Sequence, residues 1–253
     1  MKRPVGEAPA REPERIRDMF GRIARHYDLM NRLMTAGLDG RWRAAAAAEA
    51  CLSPGDRALD VCCGTGDLAF AIADRYPHAI VTGLDFAEPM LDRARAKAAA
   101  RVAGLGGEPS SPDFVTGDVL SLPFPDDQFA AVSAAFGVRN VADLAGAFAE
   151  MVRVTRPGGR VICLEITTPP PGPGRRFHEL WFDRIVPALG RLVAGDGSAY
   201  AYLPASVRAF PEAGTLAAIM IDAGLRHVRF RRFGVGIVAL HCGLVPGPDK
   251  ESE

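Results

Sequence analysis

The stretch Asp60-Val-Cys-Cys-Gly-Thr-Gly-Asp-Leu68 decides the fold of this chain. The apolar residues before it predict a buried parallel strand, and the apolar residues after it begin a helix. Between them, Gly64 and Gly66 lack side chains, which lets a ligand approach the backbone of the turn. A second predicted strand, 79–84, ends at Asp85, whose carboxylate can accept hydrogen bonds from both hydroxyls of a ribose. This succession predicts a nucleoside-binding site.

The acidic residues around the turn indicate which nucleoside it binds. Asp60 lies before Gly64, and Asp67 lies just inside the helix. A pyrophosphate needs a helix N-terminus free of negative charge, so acids on both sides of the turn disfavour NAD. They suit a ligand with ammonium and sulfonium charges, and we therefore expect S-adenosylmethionine as the cofactor. The alternative, a turn that binds no ligand, leaves these acids and Asp85 unexplained.

The composition of the chain excludes several classes of protein. Its 253 residues suffice for one large α/β domain with an ample core. Lys and Arg together number 30, as do Asp and Glu, so no net field attracts nucleic acid and we expect no such partner. The five cysteines form no CxxC motif, which is typical of reduced thiols in a cytoplasmic protein. The five histidines show no ligand spacing, so no metal site is predicted.

Apolar runs that resemble strands alternate with helical patterns, which indicates a parallel sheet covered by helices. The predicted strands are 57–62, 79–84, 113–117, 129–135 and 160–165, and the predicted helices are 67–75, 87–102 and 141–155. Two further strand candidates, 226–233 and 236–243, lie too close together for a helical crossover and must form an antiparallel hairpin. We therefore expect an α/β fold of the Rossmann-like class I S-adenosylmethionine-dependent methyltransferase type. Its mostly parallel seven-stranded sheet would end in this C-terminal antiparallel hairpin.

A single methyltransferase domain is predicted over residues 19–245, with disordered ends at 1–18 and 246–253. Two helical segments within it, 19–50 and 167–211, lie outside the sheet pattern. Their apolar stripes are Phe20, Ile23, Tyr27, Met30, Leu33 and Met34 in the first, and Phe177, Leu180, Trp181, Ile185, Leu189 and Leu192 in the second. We expect the first to be a lid and the second an insertion over the substrate site, at the carboxyl ends of the strands. The alternative is simple packing on the sheet, although long excursions are usually functional.

Asp118 follows the third predicted strand, just as Asp60 and Asp85 end the first two. Its carboxylate can accept a hydrogen bond from the amino group of adenine, and the N–H of Val119 can donate to a ring nitrogen. A Gly-Asp pair is common in loops of this kind, so the interpretation depends on the position after the third strand.

Arg139 and Asn140 follow the fourth predicted strand, at the centre of the ligand edge of the sheet. They bring guanidinium and amide groups to the place where a substrate must meet the methyl group. The alternatives are a structural salt bridge for Arg139 and an N-cap of the next helix for Asn140. The turn 156–159, Arg-Pro-Gly-Gly, is interpreted as structural.

In four segments the chain resembles the ubiquinone/menaquinone biosynthesis C-methyltransferase family. They are Tyr27–Arg43, Asp60–Leu68, Phe136–Leu144 and Arg153–Gly159, and a weaker likeness extends the match over residues 19–243. The resemblance implies S-adenosylmethionine contacts at Thr65, Asp85 and the pair Asp118-Val119. The chain departs from the family at Asp39-Gly40, where His-Arg is usual, and at Ala135, where Ser is frequent.

The resemblance also implies a substrate, a reduced quinone with a polyprenyl tail that is methylated on a ring carbon. Arg139 would lower the pKa of the phenol, with Asn140 beside it. Tyr27 is the first candidate to bind the ring or to accept the proton, and His26 and Asp28 are the other candidates. The apolar helices would hold the tail, which predicts a cytoplasmic protein with peripheral contact at the inner face of the membrane. The oligomeric state stays open, with a homodimer among the alternatives.

Several alternatives remain open from the sequence. Demethylmenaquinol is the expected substrate because the segments Asp39–Arg43 and Asp60–Asp67 look closer to that branch of the family, and a ubiquinone precursor is the nearest alternative. A methyltransferase for another small molecule, such as a sterol or a soluble phenol, is a second. An NAD-dependent oxidoreductase belongs to a different class, and a non-catalytic protein that kept the fold is a further possibility.

Overall fold

A seven-stranded sheet forms the centre of the residues that the structure, a computed structural model, describes: 13–105, 111–186 and 197–247. Its strands are β1 (Arg57–Val61), β2 (Ile80–Asp85), β3 (Asp113–Thr116), β4 (Phe129–Ala135), β5 (Thr155–Ile166), β6 (Arg226–Phe233) and β7 (Val238–Leu244). The spatial order is β3-β2-β1-β4-β5-β7-β6. Strands β1 to β5 pair in parallel, whereas β7 is antiparallel to both β5 and β6. The predicted sheet and its C-terminal hairpin are confirmed.

Helices cover both faces of this sheet. They are α1 (Pro13–Thr35), α2 (Asp39–Glu49), α3 (Asp67–Arg75), α4 (Glu88–Leu105), α5 (Leu144–Val154), α6 (Pro173–Leu180), α7 (Gly197–Arg208) and α8 (Ala213–Asp222). Apolar side chains of α5 and α8 pack on one face, and those of α2 and α3 pack on the other. Burial on both faces explains why the central strands are almost continuously apolar.

The fifth strand begins earlier than predicted, at Thr155 instead of 160. Thr155 pairs with Phe129, and the register then shifts before Arg160 pairs with Ala131. The turn 156–159 between them contains Gly158 in a left-handed conformation, with φ of +77°. The predicted structural turn is therefore an irregularity within β5, of the kind that glycine permits.

The first helix also begins earlier than predicted. Residues 13–18 belong to α1, so their assignment to a disordered N-terminus is wrong. Proline suits the first helical position because it has no N–H to donate there. Residues 1–12 and 248–253 lie outside the described residues. α1 ends before Ala36 and Gly37, whose positive φ values let the chain turn into α2.

The segment 167–211 contains α6, a π-helical turn (Trp181–Ile185) and α7. Residues 187–196, which include Leu189 and Leu192 of the predicted apolar stripe, lie outside the described residues. Within the parts of the chain that the structure describes, no helix is long and apolar enough to cross a membrane.

Candidate active site

A cavity at the carboxyl ends of β1, β2 and β4 contains most of the predicted site residues. We call it cavity A; it encloses about 780 Å³ of empty space, part of it open to solvent. The predicted residues that line it are Tyr27, Gly64, Asp85, Asp118, Val119 and Asn140. Ile16, Phe20, Phe86 and Met90 supply apolar walls. The cavity therefore combines acids at the strand ends with an apolar cover.

Asp85 is held rigidly at the end of β2. Its Oδ2 accepts from the N–H of Gly64 at 2.8 Å, and its Oδ1 accepts from the N–H of Ala87 at 2.9 Å. Burial raises the pKa of Asp85 above its ordinary value, although these donors oppose the shift. Each carboxylate oxygen has a second lone pair, so Asp85 can still accept from a ligand hydroxyl.

The two glycines of the turn have different roles. Gly64 lines cavity A at φ of +56°, and a Cβ there would lie 3.4 Å from the Met90 side chain. A Cβ on Gly66, at φ of +83°, would lie 2.7 Å from the Phe114 ring. Gly64 therefore keeps the ligand side of the turn open, while Gly66 makes room for packing behind it.

Asp118 and Val119 occupy the rim of cavity A. Asp118 is exposed, and its Oδ1 accepts from the N–H of Leu120 at 2.9 Å. Val119 is buried beside it. Both residues border cavity A, and their contact with adenine stays a prediction.

Asp60 and Thr65 lie behind the turn, in a smaller cavity that they share with Tyr27 and Gly64. Asp60 is 1% exposed and accepts from the hydroxyl of Ser133 at 2.9 Å. Burial raises the pKa of Asp60 to about 7, so the carboxyl is poised to change its charge near neutral pH. A cation bound next to it would favour the ionised form.

Thr65 connects the turn to α1 and α4. Its hydroxyl donates to Asp28 at 2.6 Å and accepts from the ammonium of Lys97 at 2.9 Å. Lys97 also pairs with Asp28 at 2.8 Å and with Asp67 at 2.7 Å. Asp67 therefore shares one cation with Asp28 and lies outside cavity A, and its role in selecting the cofactor stays a prediction.

The adjacent cysteines at the end of β1 remain protonated thiols. Burial raises the pKa of both Cys62 and Cys63 well above the ordinary value. Both thiols are therefore poor nucleophiles at neutral pH, which agrees with the predicted reduced state. Within the described residues, no group of His, Cys, Asp and Glu could hold a metal ion.

A second cavity, which we call cavity B, adjoins cavity A. It encloses about 570 Å³, and the aromatic rings of Trp42, Phe136 and Trp181 form much of its wall. Tyr27 and Phe136 line both cavities, so the two spaces meet at these rings. Their junction is where a group could pass from one bound molecule to another.

A third space, cavity C, continues from cavity B between α1 and α7. It encloses about 410 Å³, and its wall contains Met19, Ile23 and Met30. Cavities B and C have five residues in common: Tyr27, Asn31, Met34, Arg139 and Leu203. Aromatic and aliphatic side chains line both cavities, with the two tryptophans in cavity B and Met19, Ile23 and Met30 in cavity C.

Arg139 is buried between these cavities and is ion-paired. Its Nη1 donates to Glu165 at 2.8 Å and to the carbonyl of Phe136. The backbone N–H of Arg139 donates to Glu165 at 3.3 Å. The structural salt bridge considered as an alternative is therefore present. The side chain nevertheless lines cavities B and C, and its Nε has no hydrogen-bond partner among the described residues.

Asn140 does not cap the following helix, so that alternative is wrong. The N-cap of α5 is Asp143, whose carboxylate accepts from the N–H of Gly146 at 2.9 Å. Asn140 instead lies in a short 3₁₀ turn (Val138–Asn140) and lines cavity A. Its Oδ1 is buried and has no hydrogen-bond partner among the described residues.

The structure adds residues that the sequence predictions omit. Asn31 lines cavities B and C, and Trp42 lines cavity B. Asp39 and Arg43, which are bonded to each other, also line cavity B. Glu165 lies in the apolar part of β5 and pairs with Arg139. An isolated acid in an apolar strand needs a buried partner, so the sequence could have indicated Glu165 as a site residue.

Comparisons with known proteins agree on one family. A model of the ubiE/COQ5 methyltransferase family matches residues 9–245. A demethylmenaquinone methyltransferase of Roseiflexus castenholzii is 43% identical over 239 residues, which cover 94% of this chain and 97% of the relative. A ubiquinone/menaquinone biosynthesis C-methyltransferase UbiE of Paracoccus denitrificans is 39% identical over 228 residues, which cover 90% of this chain and 89% of the relative.

A solved structure supports the fold. The crystal structure of a SAM-dependent methyltransferase from Aquifex aeolicus is similar at a TM-score of 0.57, with 17% identity. The similarity covers 80% of this chain and 89% of that one. At this identity the similarity concerns the fold alone, and it agrees with the predicted Rossmann-like class. On the strength of the family match and its relatives, this chain belongs to the ubiE/COQ5 methyltransferase family.

Proposed function

We propose that this enzyme methylates a ring carbon of a polyprenyl quinol, namely demethylmenaquinol, with S-adenosylmethionine as the methyl donor. The observation that carries the proposal is the junction of cavities A and B at Tyr27 and Phe136. Cavity A suits a nucleoside, and cavity B suits a flat aromatic ring. The relative from Roseiflexus castenholzii, which matches over almost its full length, is a demethylmenaquinone methyltransferase.

The residues of cavity A fit S-adenosylmethionine. Asp85 has lone pairs left for the ribose hydroxyls, and Asp118 with Val119 can meet the adenine edge. The buried Oδ1 of Asn140 lacks a partner among the described residues, and an acceptor is what a ligand ammonium or hydroxyl needs. Gly64 keeps the turn open. We assign these residues, together with Asp60, Thr65 and Gly66 behind them, to the cofactor site.

The chemistry then divides between cofactor and protein. When bound, S-adenosylmethionine supplies an electrophilic methyl group and leaves as a neutral thioether that needs no acid. The protein aligns the ring carbon with that methyl group, which contributes up to about 7–11 kcal/mol to lowering the barrier. The ring carbon would gain the methyl group and lose its own proton, the hydroxyl oxygen would regain the proton that it gave up, and one proton would be released overall.

The quinol must also lose a hydroxyl proton so that electron density moves onto the ring. A phenol ionises near pKa 10, so the protein has to favour the phenolate. Arg139 lies in the wall of cavity B and can do so with its N–H groups. Because Glu165 balances its charge, directed hydrogen bonds matter more than a net positive field.

Tyr27 would bind the ring and would not accept the proton. Desolvation raises the pKa of its hydroxyl above the ordinary value, so Tyr27 stays protonated at neutral pH. Asp28 is committed to Lys97 and Thr65. The side chain of His26 lies outside the described residues.

The decisive experiment supplies the purified enzyme with methyl-labelled S-adenosylmethionine and either demethylmenaquinol or a ubiquinone precursor. Labelled menaquinol, identified by mass spectrometry, is the expected product. The ubiquinone precursor is the second candidate because the relative from Paracoccus denitrificans carries both quinones in its name. Transfer to neither quinol would refute the proposal, and transfer to the ubiquinone precursor alone would favour the second candidate.

The polyprenyl tail would extend from cavity B into cavity C, where methionine and isoleucine side chains form an adaptable apolar wall. Segments 19–50 and 167–211 would then cover the substrate as a lid and an insertion.

Exposed apolar side chains on α1 (Leu29, Leu33) and α6 (Phe177, Leu180) favour peripheral contact at the inner face of the membrane. Failure to float with anionic liposomes, with or without quinol, would remove the membrane contact from the proposal.

A further inference from the structure

Two buried N–H donors of residues that line both cavities B and C have no hydrogen-bond partner of normal geometry among the described residues. One is Nε of Arg139, and the other is Nδ2 of Asn31 on α1. The Asn31 amide lies close enough to the Tyr27 hydroxyl to lower its pKa, yet Nδ2 makes no hydrogen bond of normal geometry within the described residues. Both side chains line the same two cavities, so a ligand bound in the shared space lies beside both residues.

Unpartnered buried donors are uncommon because each carries the full cost of its desolvation. For Arg139 the cause is visible. Its Nη1 is committed to Glu165 and to the carbonyl of Phe136, which holds the guanidinium in one orientation and leaves Nε without a partner among the described residues. The arrangement provides a donor at a fixed place, as sites that stabilise a developing negative charge do.

The surroundings indicate which acceptor these donors meet. The titratable and charged groups around the cavities are Tyr27 from α1, Asp39 and Arg43 from α2, Arg139 from the 3₁₀ turn, Glu165 from β5 and Tyr202 from α7. Arg43 pairs with Asp39, and Arg139 pairs with Glu165, so the ion pairs leave no net charge. Such a space suits a neutral aromatic hydroxyl better than a permanent anion, and two N–H donors can stabilise its oxygen once the proton has left.

We propose that Asn31 is a substrate-binding residue whose amide donates, together with Nε of Arg139, to one ring hydroxyl oxygen of the quinol. This assignment depends on the proposed function. The pair of donors acts as an oxyanion site: it binds the hydroxyl in the ground state and binds the phenolate more strongly. Asn31 thereby favours ionisation of that hydroxyl, whose proton leaves to water as its O–H bond breaks.

The inference can be tested with 1-naphthol, a single-hydroxyl analogue of the ring, in enzyme saturated with S-adenosylhomocysteine so that no methyl transfer occurs. The absorbance of naphtholate above the protein's own bands reports the ionisation of the bound probe. We expect the bound hydroxyl to ionise about one pH unit higher in Asn31→Ala and Asn31→Leu than in the wild type, a tenfold change in its ionisation constant. Ionisation at the same pH in all three proteins would overturn the assignment.

Turnover supplies a second readout. Loss of one oxyanion donor lowers kcat by about 10²–10³-fold, so Asn31→Ala should fall in that range while its S-adenosylmethionine affinity is unchanged, because Asn31 does not line cavity A. The acidic limb of the pH profile of kcat/KM should move to higher pH. Asn31→Leu keeps the volume of the side chain and guards against a simple packing defect.

Arg32→Ala is the matched control, because Arg32 is the next residue on α1 and is exposed. It should behave as the wild type in both measurements. A wild type that binds naphthol but methylates no quinol would refute the proposed function alone. A wild type that methylates demethylmenaquinol, with an Asn31→Ala variant of unchanged pH profile and naphthol ionisation, would refute the role of Asn31 alone.

Discussion

Arg139 donates to Glu165 at 2.8 Å, and both side chains are buried beside the proposed substrate cavity. Removing one partner leaves the other charge buried and uncompensated. We therefore expect Arg139→Ala to lower the free energy of unfolding by about 3–5 kcal/mol, as measured by urea denaturation. It should also abolish turnover while S-adenosylmethionine binding, measured by calorimetry, persists.

A double variant separates stability from catalysis at this pair. Arg139→Met with Glu165→Leu removes both charges and should recover most of the lost stability, because apolar residues often replace a buried ion pair without loss. Turnover should stay absent, since the donors facing the substrate are gone. Near-normal turnover in the double variant would show that Arg139 serves the fold alone.

The raised pKa of Asp60 predicts how stability depends on pH in the cofactor-free enzyme. Between the ordinary carboxyl value of about 4 and the folded value of about 7, the folded state binds a proton that the unfolded state has lost. Its contribution to stability is therefore present at low pH and is lost as pH rises to about 7, by at most about 1.4 kcal/mol per pH unit. Asp60→Asn should lack this slope in a urea-denaturation series, and parallel curves for the two proteins would disprove the effect.

Gly66 should tolerate no side chain. Alanine there meets the Phe114 ring and a left-handed backbone, so Gly66→Ala should lower the unfolding free energy by about 1–3 kcal/mol and weaken cofactor binding. Gly214→Ala is the control, because Gly214 lies in α8 with ordinary φ and nothing within 4 Å of its added Cβ. That change should be neutral or stabilise by about 0.4–1 kcal/mol. Equal melting temperatures for both variants would contradict the difference.

Lys97 should hold α1 against the cofactor turn. Its ammonium joins Asp28 of α1 to Asp67 and Thr65, whereas Arg101 on the same helix pairs with Asp74 of α3. Lys97→Met should therefore speed amide hydrogen exchange in α1, although partly exposed pairs cost only about 0.2–1 kcal/mol each. Arg101→Met should leave exchange in α1 unchanged. Similar exchange in both variants would mean that apolar packing alone holds α1.

Local patterns in the sequence were sufficient for the sheet and for the cofactor cavity. Gly64, Asp85 and Asp118 lie at or shortly after the carboxyl ends of β1, β2 and β3. Parallel strands bring these ends to one edge of the sheet. Their positions could therefore be predicted without knowing any distant contact.

Pairings between distant residues could not be predicted in this way. Arg139 meets Glu165, 26 positions away, and Lys97 meets Asp67, 30 positions away. The first pairing balances the charge of Arg139, and the second places a cation beside the carboxylate that the sequence associates with cofactor selection. Asn31 escaped prediction because an asparagine in an amphipathic helix has no local signature that separates it from a surface residue.

The position of Tyr27 on α1 has a consequence for the catalytic cycle. Tyr27 lines cavity A as well as cavities B and C, so this one side chain of α1 borders both proposed binding sites. A movement of α1 that opens one site for product release would also weaken binding of the other product. Substitution of Tyr27 should therefore change the Michaelis constants of both substrates together, unlike substitution of Asn31 or Arg32 on the same helix.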